Sequence, residues 1–451
     1  MRLRRPTSAH PPSPPHSPAQ ASAAGNSGGR SHYYGWVVAG TLAVTETVSW
    51  GILFYAFSVF LVPMQRELGW SLSALTGAYS LALLASGLAA PAVGRWLDRH
   101  GPRALMTVGS VAGSLLLLAW AAVDDLRVFY LIWVGLGLAM AATLYEPAFA
   151  TLAVWFDRDR RRAFLLLTVA AGFASTIFLP LAGWLVATLG WRRALVALAA
   201  ILAGSTIVPH ALLLRRRPRD LGLLPDGATT ETQAASSGLH LSGTTLPAAL
   251  RDPSFWWLTI AFFFDTFAVV AVGVHLIPYL TERGSDPAFA ATATGLIGAA
   301  QVAARLLVTG LGGRMSQIRL TASLFAVEGG ALVVLLLWSS AASVLIAVLL
   351  LGAGRGAVTL MRATVIADRY GPAHYGAISG MLAFLLTAAR AAAPVGGGLA
   401  EVWLGGYRPV FWGLVGCSVV AVIAILASGQ PRRGQASPPT RIDRPVTTQG
   451  R

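Results

Sequence analysis

Gly94-Arg95-Trp96-Leu97-Asp98-Arg99-His100-Gly101-Pro102-Arg103 is a densely charged break between two long apolar runs, 71–93 and 103–123, and its reading decides the fold. Each run is about the 20 residues that a helix needs to cross a ~30 Å hydrocarbon layer. A connection this short turns the chain straight back, so the runs are neighbouring membrane helices. Gly94 permits close helix approach. Asp98 can pair with an Arg or sit at a helix N-terminus, and the arginines hold the segment at one aqueous face.

The same rhythm extends in both directions. Twelve apolar spans are expected, at 34–62, 71–93, 103–123, 128–152, 162–188, 193–214, 254–280, 290–312, 319–338, 342–367, 375–400 and 406–428. Gly and Pro within them do not argue for strands, because neighbouring helices satisfy the freed backbone groups. The longest internal break, 215–252, opens with Arg215-Arg216-Arg217-Pro218-Arg219 and continues rich in Gly, Ala, Ser and Thr. It separates an N-terminal six-helix bundle, 34–214, from a C-terminal one, 253–428. The ends, 1–33 and 429–451, have the Pro-, Ser-, Arg- and Gln-rich composition of disordered tails. The fold class expected is an all-α membrane protein with two six-helix bundles.

Composition supports this and excludes alternatives. Only 12% of the 451 residues are charged, about half the share usual in soluble domains, and mean hydropathy is +0.63. The single cysteine, Cys417, excludes a disulfide scaffold and a cysteine-based zinc or iron–sulfur site. All 34 basic residues are Arg, against 19 acidic ones. A nucleic-acid partner would require those arginines on one folded face. They sort instead by loop: 24 fall in the tails and alternate loops assigned to the cytoplasm, and 6 in the opposite loops. This bias places both termini in the cytoplasm. No H-E-x-x-H or nucleotide loop is present, and the one G-x-S-x-G string, Gly25 to Gly29, lies in the Pro- and Ser-rich stretch before the first span rather than between a strand and a helix, so the chain is not read as an enzyme.

On these residues the chain resembles the major facilitator superfamily, whose loop pattern G-x-x-x-D-R-x-G-x-R is matched by 94–103. A degenerate second copy, Gly310-Leu311-Gly312-Gly313-Arg314, lacks the Asp. Within the superfamily it resembles the monocarboxylate-transporter-like and oxalate/formate-exchanger branch of bacteria. Tyr34-Gly35-Trp36, Tyr55-Ala56-Phe57-Ser58-Val59-Phe60 and the Arg160-Arg161-Arg162 segment carry that likeness. The resemblance implies a secondary transporter in the bacterial inner membrane, monomeric and without a cofactor or metal. It also implies a conformational latch at Gly94, Asp98, Arg99 and Arg103, and a carboxylate anchor at Arg305. Gln301 replaces the acid that the family usually carries one turn before that Arg. The family's span-one Lys is missing, and the matching region reads Leu53-Phe54-Tyr55.

Ionisable residues at membrane depth are costly and mark candidate sites. Nine lie within the spans: Glu46, Glu146, Asp265, Arg305, Glu328, Arg355, Arg362, Arg390 and Glu401. Arg305 is the first candidate for the substrate, because a guanidinium binds a carboxylate with two parallel hydrogen bonds. A structural ion pair is the alternative. Arg390 is the second, against packing or pairing with Glu328. Gln301, Tyr55 and Tyr145 could add hydrogen bonds. Glu46 and Asp265 occupy corresponding spans of the two halves and are candidate proton carriers, against static pairing with Arg355 or Arg390. Glu146 reads as a structural ion-pair member, and Arg362 as a structural partner of Asp368. The function expected is proton-coupled transport of a small mono- or dicarboxylate by alternating access. Proton-driven export of amphiphilic compounds is the alternative.

Overall fold

The computed structural model describes residues 33–227, 243–311 and 315–429. The expected tails lie outside these residues apart from Tyr33 and Gly429, as do the middle of the 215–252 linker and Gly312 to Arg314 of the degenerate second copy.

Twelve long helical segments are present. They are α1 (Tyr34–Leu68), α2 (Leu72–His100), α3 (Pro102–Ala121), α4 (Leu126–Trp155), α5 (Arg160–Leu189) and α6 (Trp191–Leu213), then α7 (Pro253–Glu282), α8 (Pro287–Leu311), α9 (Gln317–Leu337), α10 (Ala341–Tyr370), α11 (Tyr375–Leu404) and α12 (Tyr407–Ser428). Eleven are long and apolar enough, among the described residues, to cross a membrane. The other, α8, is a 25-residue helix. A short helix, Leu246–Arg251, precedes α7.

Polar side chains start many of these helices. Ser71, Asp125, Asp252, Ser316 and Ser340 accept from backbone N–H groups in the first turns of α2, α4, α7, α9 and α10. Such a cap contributes about 1 kcal/mol. Four helices are interrupted inside the apolar layer. In α1 one wide π turn spans Trp50–Tyr55, in α4 Leu144 breaks the run before Tyr145, in α5 Phe173 breaks the run before Ala174, and in α6 a π turn spans Ala203–Ile207.

The sequence 94–103 is helix for most of its length rather than loop. The last turns of α2 run through it to His100, and the reversal is made at Gly101, whose φ of +80° suits glycine, followed by Pro102 at the start of α3. Nothing in Arg95 to His100 breaks a helix, so it projects beyond its apolar run. We call this end of the molecule the Asp98 face.

In the first half α2 and α3 pack on α4, α3 on α6, and α1 on α5. In the second half α7 packs on α11 and α12, and α10 on α8 and α9. Between the halves, α2 lies along α11, α5 meets α8 and α10, and α4 meets α11. Small residues permit the closest approaches. A Cβ on Gly94 would overlap the Gly376 carbonyl, and one on Gly380 would overlap the Ala90 carbonyl. Within the second half, Gly356 of α10 leaves room for the backbone of α8 at Gln301.

Candidate functional site

Besides an ion pair between Arg160 and Asp368, the halves are joined toward the Asp98 face by three sets of polar contacts. The carboxylate of Asp98 accepts from the backbone N–H groups of Gly376, at 2.9 Å, and Ala377, at 2.8 Å, in the first turn of α11. Those groups have no partner within their own helix, and the helix dipole adds attraction for an anion there. Of the two sequence-based options for Asp98, a partner Arg or a helix N-terminus, the structure contains the second. Gly94 supplies the close approach one turn earlier. Arg99 and Arg103 are exposed beside it.

The second set is an ion pair across the halves. Arg362 of α10 donates to Glu146 of α4 at 2.8 Å, and the Ser379 hydroxyl of α11 donates to the other Glu146 oxygen at 2.5 Å. Glu146 is thus structurally paired as expected, but Arg362 does not pair with Asp368. Six residues apart on one helix, they point to different faces. Asp368 instead meets Arg160 of α5 at 3.4 Å, and Arg160 also holds Asp157 at 3.1 Å.

Arg305 makes the third. Its guanidinium is buried and donates to the carbonyl of Gly356 on α10 at 2.9 Å and to that of Thr168 on α5. The first candidate anchor therefore bridges backbone groups of both halves. Gln301 is half-buried one turn away.

Arg390 stands differently. Halfway along α11 its side chain is exposed, yet lies within electrostatic reach of Arg362 and Glu146. It forms no ion pair with any described residue. The recorded polar and glycine-mediated contacts between the halves run from Gly87 beside Thr387 toward the Asp98 face. Arg390 lies about one turn beyond Thr387 on α11, away from that face and toward the opposite, far face.

On the first half an aromatic wall faces this region. Trp50, in the π turn of α1, packs on Tyr145 at 4.8 Å between ring centroids and on Phe54 at 4.8 Å, with Tyr55 at 6.2 Å. Tyr145 lies within reach of the charges of Arg305 and Glu46, and of the Tyr55 hydroxyl. Glu46 is fully buried one turn before Trp50, and neither carboxyl oxygen has a hydrogen bond of good geometry. It pairs with neither Arg355 nor Arg390. Asp265, on α7, is buried against Glu328 of α9, with Arg355 nearby. Glu328 is therefore not the partner of Arg390.

The structure thus gathers Arg305, Tyr145, Tyr55 and Glu46 in one region, sets Arg390 across from it near Glu146, and leaves Asp265 within the second half. Sequence reading missed Ser379, the carbonyls that hold Arg305, and the π turn that projects Trp50. No local signal marked any of them. No group of three or more His, Cys, Asp or Glu that could hold a metal is present among the described residues.

Comparison with known proteins agrees with this architecture. The profile of the Major Facilitator Superfamily matches residues 47–394. Among curated proteins, the chain is 29% identical to human monocarboxylate transporter 11 over 61% of this chain and 55% of that protein. It is 32% identical to the mouse protein of that name over 46% and 45%. It is 26% identical to the oxalate:formate antiporter of Oxalobacter formigenes over 51% and 52%. The chain thus spans about half the length of these relatives. Two solved transporters share the fold. FucP in its outward conformation aligns over 88% of this chain and 100% of its own, with TM-score 0.68 and 14% identity. The human organic anion transporter TETRAN aligns over 85% and 99%, with TM-score 0.64 and 18% identity.

Proposed function

The chain belongs to the Major Facilitator Superfamily, and we propose that this transporter moves a small organic anion, a mono- or dicarboxylate, by alternating access coupled to protons. The observation that carries the proposal is Arg390, an exposed guanidinium halfway along α11 with no described ion-pair partner. A charge at membrane depth is costly and marks a candidate site. Glu146, the nearby acid, is already held by Arg362 and Ser379.

Under this reading the substrate carboxylate enters from the far face and binds Arg390. Tyr55 and Tyr145 line the opposite wall. Closure of the far face breaks the Asp98 contacts, and Arg305 loses its Thr168 carbonyl to the substrate. Gln301 adds a hydrogen bond beside it. Glu46 and Asp265 carry the coupling protons. The twelve helices act as two six-helix bundles, 34–214 and 253–428, joined by the 215–252 linker and rocking on one another. The Asp98 face is cytoplasmic, with both termini, in the bacterial inner membrane, and the carrier works as a monomer.

The test is reconstitution into liposomes and uptake of labelled lactate, formate and oxalate, with and without a pH gradient, beside Arg390→Ala. Gradient-stimulated uptake of one of these, lost in the variant, is expected. Uptake that survives Arg390→Ala unchanged overturns the anchor. A second reading, export of amphiphilic compounds, draws support from the Trp50, Phe54, Tyr55 and Tyr145 wall beside buried Glu46. No carboxylate uptake, with dye export that depends on Glu46, would replace the first reading by the second.

A further inference from the structure

Asp265 of α7 and Glu328 of α9 are 6% and 4% exposed and lie within interaction range of each other, one turn on from Phe262 and Phe325, whose rings pack at 5.7 Å between the same two helices. An ionised carboxylate only accepts hydrogen bonds, so two acids can bond to each other only while one of them carries a proton. Two bare carboxylates side by side in a buried site repel strongly.

The surroundings are built around the pair and do not finish it. Glu328 reaches α7 through a notch in α10, where a Cβ on Gly354 would lie 2.7 Å from its Oε1. That oxygen is buried and has no hydrogen-bond partner. Arg355 follows Gly354, and its charge acts on both acids. Its side chain is exposed and lies along α7 toward the far face, with Nη1 3.9 Å from where a Cβ on Gly273 would stand. Gly273 is about 12 Å further along α7 than Asp265, at 1.5 Å per residue.

The helices packed against the pair add little else. Arg362 of α10 also acts on Asp265 and is engaged by Glu146. Arg390 of α11 faces Arg362 and Glu146. The only charged residue of α12 is Arg408 at its far-face end. Arg305 of α8 is held by Gly356 and Thr168.

We infer that Asp265 and Glu328 form a one-proton site inside the second half, separate from the carboxylate anchor, and that Arg355 responds to its occupancy. With the proton bound, the acids satisfy each other and Arg355 stays in solvent. When the proton leaves to water, a second carboxylate appears and draws Arg355 inward as its counter-ion. Arg355 shares α10 with the Gly356 carbonyl that holds Arg305 and with Arg362, which crosses to the first half. Movement of this one helix therefore connects the proton to the contacts that close the Asp98 face.

The coupling role rests on the transport reading above; the proton site does not, so the test has two arms. Infrared difference spectra of the full chain in lipid nanodiscs, recorded against pH, should show the C=O band of a protonated carboxyl that shifts in D2O and disappears on alkalinisation. Glu328→Gln and Asp265→Asn should each remove the same band, and Glu46→Gln should leave it. Absence of any such band from the unmodified protein overturns the site without recourse to variants, as does a band that survives both substitutions. In liposomes, Glu328→Gln should reduce gradient-driven carboxylate uptake to its level without a gradient and keep carboxylate exchange. Retained gradient stimulation overturns the coupling role. Failure of the unmodified protein to move any carboxylate counts against the transport reading alone, because the infrared arm still decides the proton site.

Discussion

Asp98, in the last turn of α2, caps the N-terminus of α11 by accepting from Gly376 and Ala377 at 2.9 and 2.8 Å, 278 and 279 residues along the chain. The contact is made between halves, so its strength biases one conformational state rather than the fold of either half. Losing a charged cap costs about 1–2 kcal/mol. Asp98→Ala should therefore shift the equilibrium about tenfold away from closure of this face. Distances between spin labels at the tips of α2 and α11, in a background with Cys417 replaced, check it. An unchanged distribution would remove the latch role.

Glycine at 94 is needed for a steric reason that can be graded. A Cβ there meets the backbone carbonyl of Gly376, which cannot turn aside, whereas one at Gly87 meets only the side chain of Thr387. Gly94→Ala should open the Asp98 face more than Gly87→Ala does. Labelling rates of a cysteine placed near Asp98 measure the difference.

The Glu146–Arg362 pair, with side chains 22% and 13% exposed, is sheltered enough that breaking it leaves an uncompensated charge. Removing one partner should cost about 3 kcal/mol or more. Glu146→Gln with Arg362→Gln should cost less than either alone. Thermal unfolding followed by tryptophan fluorescence compares the three, and additive losses would show that the pair does not act as a unit.

Arg305→Lys separates a strut from an anchor. An ammonium cannot reach both the Gly356 and Thr168 carbonyls with the spread of a guanidinium. If bridging is the role, the variant opens the Asp98 face in the absence of any substrate. If binding alone is the role, KM rises and the label distances stay the same.

Arg390→Lys keeps the charge and loses the planar fork. A charge-assisted hydrogen bond contributes about 1.5–3 kcal/mol, so KM for a carboxylate should rise about tenfold or more, and Arg390→Ala should abolish saturable uptake. Equal KM values for Lys and Arg would mean that the site reads only charge.

Much of the architecture was legible because membrane helices obey a length rule and a charge rule that are both local. The apolar runs located the helices to within a few residues, and the sorted arginines predict an orientation. Pairings were far less legible. Arg362 and Asp368 sit close in sequence and point apart on α10, while Glu146 is 216 residues from Arg362 and touches it. Glu46 and Asp265 look equivalent in sequence. The first lies against Trp50 without a hydrogen bond, and the second against another acid.

By itself the sequence determined that the chain lives in a bilayer as a helical bundle, because hydrocarbon length and backbone satisfaction leave no other solution for runs of this composition. It also named the charges that must matter, since none can be buried there at no cost. The tertiary structure decided which of those charges are committed to one another and which remains open to solvent. Helices far apart in the chain bring them together, and sliding any helix along its axis by one turn, about 5.4 Å, would exchange the partners without changing its apolar pattern.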